Sequence, residues 1–273
     1  MRNYSTIRTF TVGQWLLLAL VLFYVGALLV LPVVALVVRA LAGGIQPLLD
    51  TFHNVNALHG LQLSISLAVI ALVANGILGV GGALVLVRHR FFGRRFLDAL
   101  IDLPFAVSPV MTGLAFLLLF GRDGWFEPLL GEWKVTFAFP GLVIATLFVT
   151  FPFTLREVGY VLEELGTLEE EAAVTLGASP FRVFWLVTLP NIRYGLGYGI
   201  ILTVARALGE FGAVLVLGGA ISGKTATTTT FIYNAIEERQ EAAAFSMALV
   251  LAVASILLLA GLEWLKYQRS KEL

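Results

Sequence analysis

The sequence predicts an all-α integral membrane protein with six transmembrane helices, and three observations carry that prediction. Of its 273 residues, 59% are hydrophobic and only 13% charged, against roughly 45–50% and about 25% in soluble domains. The mean hydropathy is +0.91, more apolar side chain than a soluble fold of this size can hide from water. Six stretches are long enough to cross about 30 Å of hydrocarbon as helices. Finally, Lys and Arg are divided unequally between the segments on the two sides of those stretches.

In chain order, the expected spans are Trp15–Val38, Leu61–Val87, Leu103–Phe120, Val135–Leu155, Tyr194–Leu217 and Ala242–Leu262. The first is too long for the apolar stretch of a secretory leader and lacks a small-residue cleavage site, so it reads as a retained anchor. Leu103–Phe120 has Asp102 at its edge and is punctuated by Pro104 and Ser108-Pro109. Each proline frees a carbonyl that needs a partner or a water-lined cavity, so packing kinks and pore lining stay open. Tyr194–Leu217 alone carries charges inside the membrane, Arg206 and Glu210. With the N-terminus cytoplasmic, Arg2, Arg8, Arg88, Arg90, Arg94, Arg95, Arg156, Arg182, Arg193, Lys266, Arg269 and Lys271 fall inside. Only Arg39, Arg122, Lys134, Lys224 and Arg239 fall outside, so both termini are expected to be cytoplasmic. Residues 1–273 then form a single transmembrane domain of the inner membrane, with 156–193 as the largest inner loop.

Other classes are excluded by what is missing. Eighteen basic residues balance eighteen acidic ones, so the electrostatic footprint of a nucleic-acid-binding protein is absent. There is no cysteine for a disulfide, thiolate or metal ligand. His53, His59 and His89 are too scattered for a metal site. No catalytic set and no resident cofactor are therefore expected.

The inner loop reads as two short helices. Thr167 and Glu170 have capping-box spacing, and Glu169, Glu170 and Glu171 crowd a first turn where the helix dipole favours anions. Gly177 is placed to end that helix in a left-handed conformation. Ser179 and Pro180 open the second helix, which runs through apolar residues to Pro190. Physically, this knuckle is either an elbow tucked under the bundle or a docking surface.

Glu171-Ala172-Ala173, three residues, Gly177, nine residues, then Val187-Thr188-Leu189-Pro190 resembles the EAA signature of importer-type ABC permeases, with valine for isoleucine as the one departure. The resemblance implies that the knuckle is a coupling helix, with Glu171, Ala172, Ala173, Gly177, Leu189 and Pro190 carrying contact with a separate cytoplasmic ATPase. Phe92-Gly93-Arg94-Arg95 and Asp102 through Val110 narrow the likeness, as do Gly121 through Phe126 and Ala205 through Val214. Together they are similar to the permease subunits of sulfate/thiosulfate importers, CysW type; molybdate and tungstate permeases share a similar stretch. The likeness implies a type I importer fold, a tetrahedral-oxyanion cargo and alternating access. The implied partners are a homologous permease forming a heterodimer, two copies of an ABC ATPase holding ATP and Mg, and a periplasmic or lipid-anchored sulfate-binding protein. An ATP-independent secondary transporter remains a more remote alternative.

A mid-bilayer charge costs about 2.5–3.5 kcal/mol on insertion scales, so Arg206 and Glu210 need a reason. Being four apart, they share a helix face with Gly199, Thr203, Ala213 and Leu217. They form either a structural ion pair or one wall of the translocation path, for which the candidates are Arg206, Glu210, Thr203, Ser108 and Pro109. Gly218 through Thr225 matches the P-loop spacing letter for letter. That reading is rejected, since a membrane helix precedes it and no aspartate follows Asp123. Ser222, Lys224 and Thr225 with Thr227–Thr230 instead suggest a polar, cationic outer loop.

Overall fold

The computed structural model describes residues 11–131 and 133–272. Arg2 and Arg8 lie outside the described residues, as do the side chains of Arg269 and Lys271. The chain begins with α1 (Val12–Leu41), α2 (Gln46–His53) and α3 (Val55–Arg88). It continues through α4 (Arg94–Ile101), α5 (Leu103–Ala106), α6 (Pro109–Phe120), α7 (Glu127–Leu130) and α8 (Phe139–Leu165). Then come α9 (Leu168–Thr175), α10 (Pro180–Val183), a π-helical segment Phe184–Thr188, α11 (Leu189–Leu208), α12 (Gly212–Gly218), α13 (Thr228–Glu237) and α14 (Glu241–Glu272).

Among the described residues, four helices are long and apolar enough to cross a bilayer: α1, α3, α8 and the Glu241–Gln268 part of α14. A fifth candidate is the run Pro180–Leu208 with Gly212–Gly218, bent by 52°. Six uninterrupted spans are therefore not what the chain builds. The stretch Leu103–Phe120 is split: Val107 is extended, and α6 is a 12-residue helix only about 18 Å long at 1.5 Å per residue. The cause is Pro109, whose ring pushes the preceding Ser108 out of the helical region, to φ −59°, ψ 137°. The fourth span begins later than its apolar run, at Phe139, because Phe137 takes φ 54° and its N–H donates to the Leu217 carbonyl at 2.9 Å.

The centre of the molecule is the packing of α3, α8 and α11. Small residues let their backbones approach, as membrane helices require where no hydrophobic drive between helices exists. A Cβ on Gly79 would stand 3.0 Å from Thr154, and one on Gly199 would stand 2.7 Å from the Thr154 Cα. Polar links close the seam: Asn75 Nδ2 donates to Thr150 Oγ1 at 2.7 Å, and the Thr154 and Thr203 hydroxyls lie 2.9 Å apart. Val80, Ala83, Leu86, Leu155, Val158, Leu162 and Ile192 fill the space toward the α9 end. In contrast, α1 buries only Ala40 within this chain and is apolar on nearly every face, the pattern of a membrane span.

The segment after α12 departs from the expected solvated loop. Thr225, Thr227, Thr228 and Thr230 are buried, and α13 starts within the threonine run. The Thr228 N–H donates to Ser64 Oγ at 2.9 Å and its hydroxyl to the Gly60 carbonyl at 3.2 Å. In a low-dielectric setting these hydroxyls satisfy backbone groups that water would serve in a loop. Only the tip, with Ser222 and Lys224, is exposed.

Candidate functional site

The knuckle takes its shape from a few local rules. Helix α9 ends at Gly177, which has φ 88°. The Gly177 N–H donates to the Val174 carbonyl at 2.9 Å and the Ala178 N–H to Ala173 at 3.0 Å, closing the turn as a left-handed glycine allows. A Cβ at this glycine would meet nothing within 4 Å, so the turn presents an open surface. Ser179 adopts the extended N-cap conformation ahead of Pro180, without a side-chain cap bond. Pro190 does not end the second helix. The chain widens into the π-helical segment just before it and continues as α11. A wider turn accommodates a residue that lacks an N–H and whose ring crowds the preceding turn.

The expected capping box at Thr167 does not form, because its glutamate is engaged elsewhere. Glu170 pairs with Arg88 at the end of α3, 3.0 Å away, and accepts from the Thr188 hydroxyl at 2.8 Å. Arg88 also donates to the Leu162 carbonyl at 3.1 Å, and Asn191 donates to Glu169. Thus α9 is pinned to α3, the π-helical segment and the start of α11 by its second and third residues, and Arg88 ties α3 to α8. Glu171 and Ala172 remain exposed, Ala173 and Leu189 are half-buried, and Pro190 is exposed. Around them Leu168, Val174, Leu176, Phe181 and Leu186 stand clear of the bundle, Leu176 being 89% exposed. The result is an apolar crest on a rigid base.

The second cluster lies at the bend between α11 and α12. Arg206 Nη1 and Glu210 Oε2 are 2.6 Å apart; the arginine side chain is 30% exposed and the glutamate 1%. Glu210 Oε1 accepts the Ala213 N–H at 3.0 Å, so one carboxylate spans the end of α11 and the start of α12. The Thr229 hydroxyl donates to the Glu210 carbonyl at 2.6 Å. The axis turns by 52° here, so Arg206 sits in the last turn of α11 while Ala213 and Leu217, both fully buried, lie on α12. Gly212 packs on the other broken stretch: its Cβ would stand 3.0 Å from Val110 Cγ2 and 3.2 Å from Pro109 Cβ. The break at Ser108-Pro109 and the bend at Glu210 are thereby brought together. Thr203 is not with them; it is fully buried against Thr154 of α8.

A third group was not singled out from the sequence. Arg156 of α8 reaches Asp98 at 2.6 Å and Asp102 at 2.8 Å, and donates to the Asp98 carbonyl at 2.9 Å. It clamps α4 and the turn into α5 against the bundle. Arg156 and its partners are 54 and 58 residues apart, so no local pattern announces the link; Asp102 beside an apolar run was the available hint.

The P-loop spacing yields no phosphate cradle. The N–H groups of Lys224, Thr225 and Ala226 all fold onto the Ile221 carbonyl at 2.9–3.0 Å, and the Thr225 hydroxyl donates to the Gly218 carbonyl at 2.6 Å.

Residues 75–267 match the family described as binding-protein-dependent transport system inner membrane component. The chain is 46% identical over 254 residues to the sulfate transport system permease protein CysW of Synechocystis sp., covering 92% of each protein. It is 37% identical to the sulfate transport system permease protein CysT of Escherichia coli, covering 93% of this chain and 92% of that one. Its fold matches a chain of a bacterial alginate ABC transporter solved in complex with an alginate pentasaccharide-bound periplasmic protein, with a TM-score of 0.74, 16% identity and 93% and 94% coverage. The chain belongs to the binding-protein-dependent transport system inner-membrane components, as an ABC permease of the CysW type.

Proposed function

We propose that this chain is the membrane subunit of an ATP-driven importer that moves sulfate or thiosulfate inward by alternating access. The cargo follows from the relatives named as sulfate permeases over nearly the whole chain. Likeness to both CysW and CysT supports a second, homologous permease as partner. Two ATPase copies carry ATP and Mg, and a binding protein delivers the anion. The chain itself performs no chemistry. In this reading it crosses the membrane six times, with 103–120 and 194–217 as the broken crossings, and both termini and the knuckle are cytoplasmic.

The observation that carries the mechanism is the knuckle: a glycine-tipped, apolar-crested turn held to α3 by Arg88–Glu170 and continuous through Pro190 with α11. A push on Glu171, Ala172 or Gly177 is transmitted along α11 to the bend. There Arg206 and Glu210, with Ser108 and Pro109, border the path. A mid-membrane arginine neutralised by Glu210 offers a dianion a partner without holding it irreversibly. Thr203 acts one step away, through the seam with α8. Labelled-sulfate uptake in cells lacking their own sulfate permease tests this reading, with thiosulfate, molybdate and tungstate as competitors. Uptake is expected to be blocked by thiosulfate, spared by molybdate and lost with Gly177→Asp. Undiminished uptake with Gly177→Asp refutes the coupling role.

A further inference from the structure

Helix α4 is amphipathic in the inverted sense. Its inward face is Arg94, Asp98 and Ile101, at positions i, i+4 and i+7, and that face is half-buried or buried. Arg94 and Asp98 line a cavity of about 100 Å³ with Arg156 and Glu163, so the charged side of the helix is the one turned into the protein. The outward face is apolar. Phe96 is 74% exposed, Leu100 is 48% exposed, and Phe92 just before the helix is fully exposed. Arg90 and Arg95 are exposed beside these rings, and the stretch from Arg88 to Leu97 contains no acidic residue. Gly93, at φ 85°, turns the chain from the end of α3 into α4. The helix therefore sits at the knuckle end of the bundle, where Arg88 meets Glu170.

We propose that this elbow is a seat for anionic phospholipid: Phe92, Phe96 and Leu100 lie among the acyl chains, and Arg90 and Arg95 bind the phosphate-bearing head groups. Two features of the chain argue for lipid as the occupant. An outward apolar face flanked by exposed arginines has the polarity of a bilayer interface, where rings enter the acyl boundary and guanidinium groups remain at head-group level. The charge is of one sign, complementary to phosphatidylglycerol and not to a zwitterionic lipid. Each arginine near an anionic surface favours it by roughly fivefold. Because Arg156 clamps Asp98 and Asp102, lipid bound here is mechanically linked to α8.

The chain has no cysteine, which makes the test direct. The full-length chain carrying Phe96→Cys with a fluorescent label is reconstituted, with the subunits that co-purify with it, into mixed phosphatidylglycerol–phosphatidylcholine bilayers. One lipid or the other carries a quencher at equal mole fraction. The expected result is several-fold stronger quenching from phosphatidylglycerol at residue 96, reduced to parity by Arg90→Gln with Arg95→Gln. A label at Leu28→Cys, exposed on α1, is expected to show no preference in either background, and an unchanged thermal-unfolding midpoint of the double variant reports that it is folded. Equal quenching by the two lipids at residue 96, or a preference that survives the double substitution, overturns the proposal. So does absence of quenching by both lipids at residue 96 while Leu28→Cys is quenched, since that places protein on this face.

Discussion

Glu210 is the residue whose loss should be felt most. Its side chain is 1% exposed, 2.6 Å from Arg206, and it accepts the Ala213 N–H at the start of α12. Replacing it by alanine strands a guanidinium in the membrane and uncaps the second half of a bent span. Breaking a buried pair from one side costs about 3–5 kcal/mol. Because Arg206 is 30% exposed, the lower end applies, and the expected cost is about 3 kcal/mol. In a chain of this size, each kcal/mol lowers the melting temperature by about 2–4 °C, which predicts a fall of roughly 6–12 °C. The assay is thermal unfolding of the purified complex for Glu210→Ala, Arg206→Leu and the pair together. If the stranded charge causes the damage, the double variant is more stable than Glu210→Ala, retaining only the loss of the cap, about 1 kcal/mol. Additive losses in the double variant refute the argument.

Arg206→Leu is expected to abolish sulfate uptake while leaving ATP hydrolysis by the partner responsive to the binding protein; unchanged uptake removes Arg206 from the path. Glu170→Ala leaves Thr188 without its acceptor and Arg88 without its ion-pair partner, so transport is expected to fall more than ATPase activity, and equal loss of both argues against an anchoring role. Gly199→Leu drives a side chain into the α8 backbone at Thr154 and is expected to cost about 3 kcal/mol or more by thermal unfolding, at the upper end of overpacking penalties. Gly177→Ala meets no atom within 4 Å but takes φ 88°. A loss of about 1 kcal/mol with uptake retained is expected, and would separate backbone strain from the bulk and charge of Gly177→Asp.

Much of the architecture was legible from local chemistry. Helices α1, α3, α8 and α14 each contain an uninterrupted apolar run, and a bilayer accepts only hydrogen-bonded helix there. The turn at Gly177 was legible because a single residue type and its immediate neighbours decide it. The breaks at Ser108 and at Glu210 were less so. Pro109 was visible, but a proline in a membrane helix kinks or breaks it depending on what packs beside it, and here α12 packs on Pro109 and Val110 through Gly212. Glu210 lies four residues after Arg206, and on an unbroken helix it would be an ordinary i, i+4 partner. The structure makes the same carboxylate the hinge between two axes.

The sequence by itself determined that this is a membrane protein with a two-helix knuckle turned at Gly177, because hydrophobicity and turn chemistry act over a few residues. Only the tertiary structure decided that Glu170 is held by Arg88 rather than capping its own helix, and that Arg156 gathers Asp98 and Asp102. It also decided that the threonines after the turn at 219–224 are buried. Each of these joins groups that the chain separates by tens of residues, and in a low-dielectric interior a charge or hydroxyl takes whichever partner packing brings within reach.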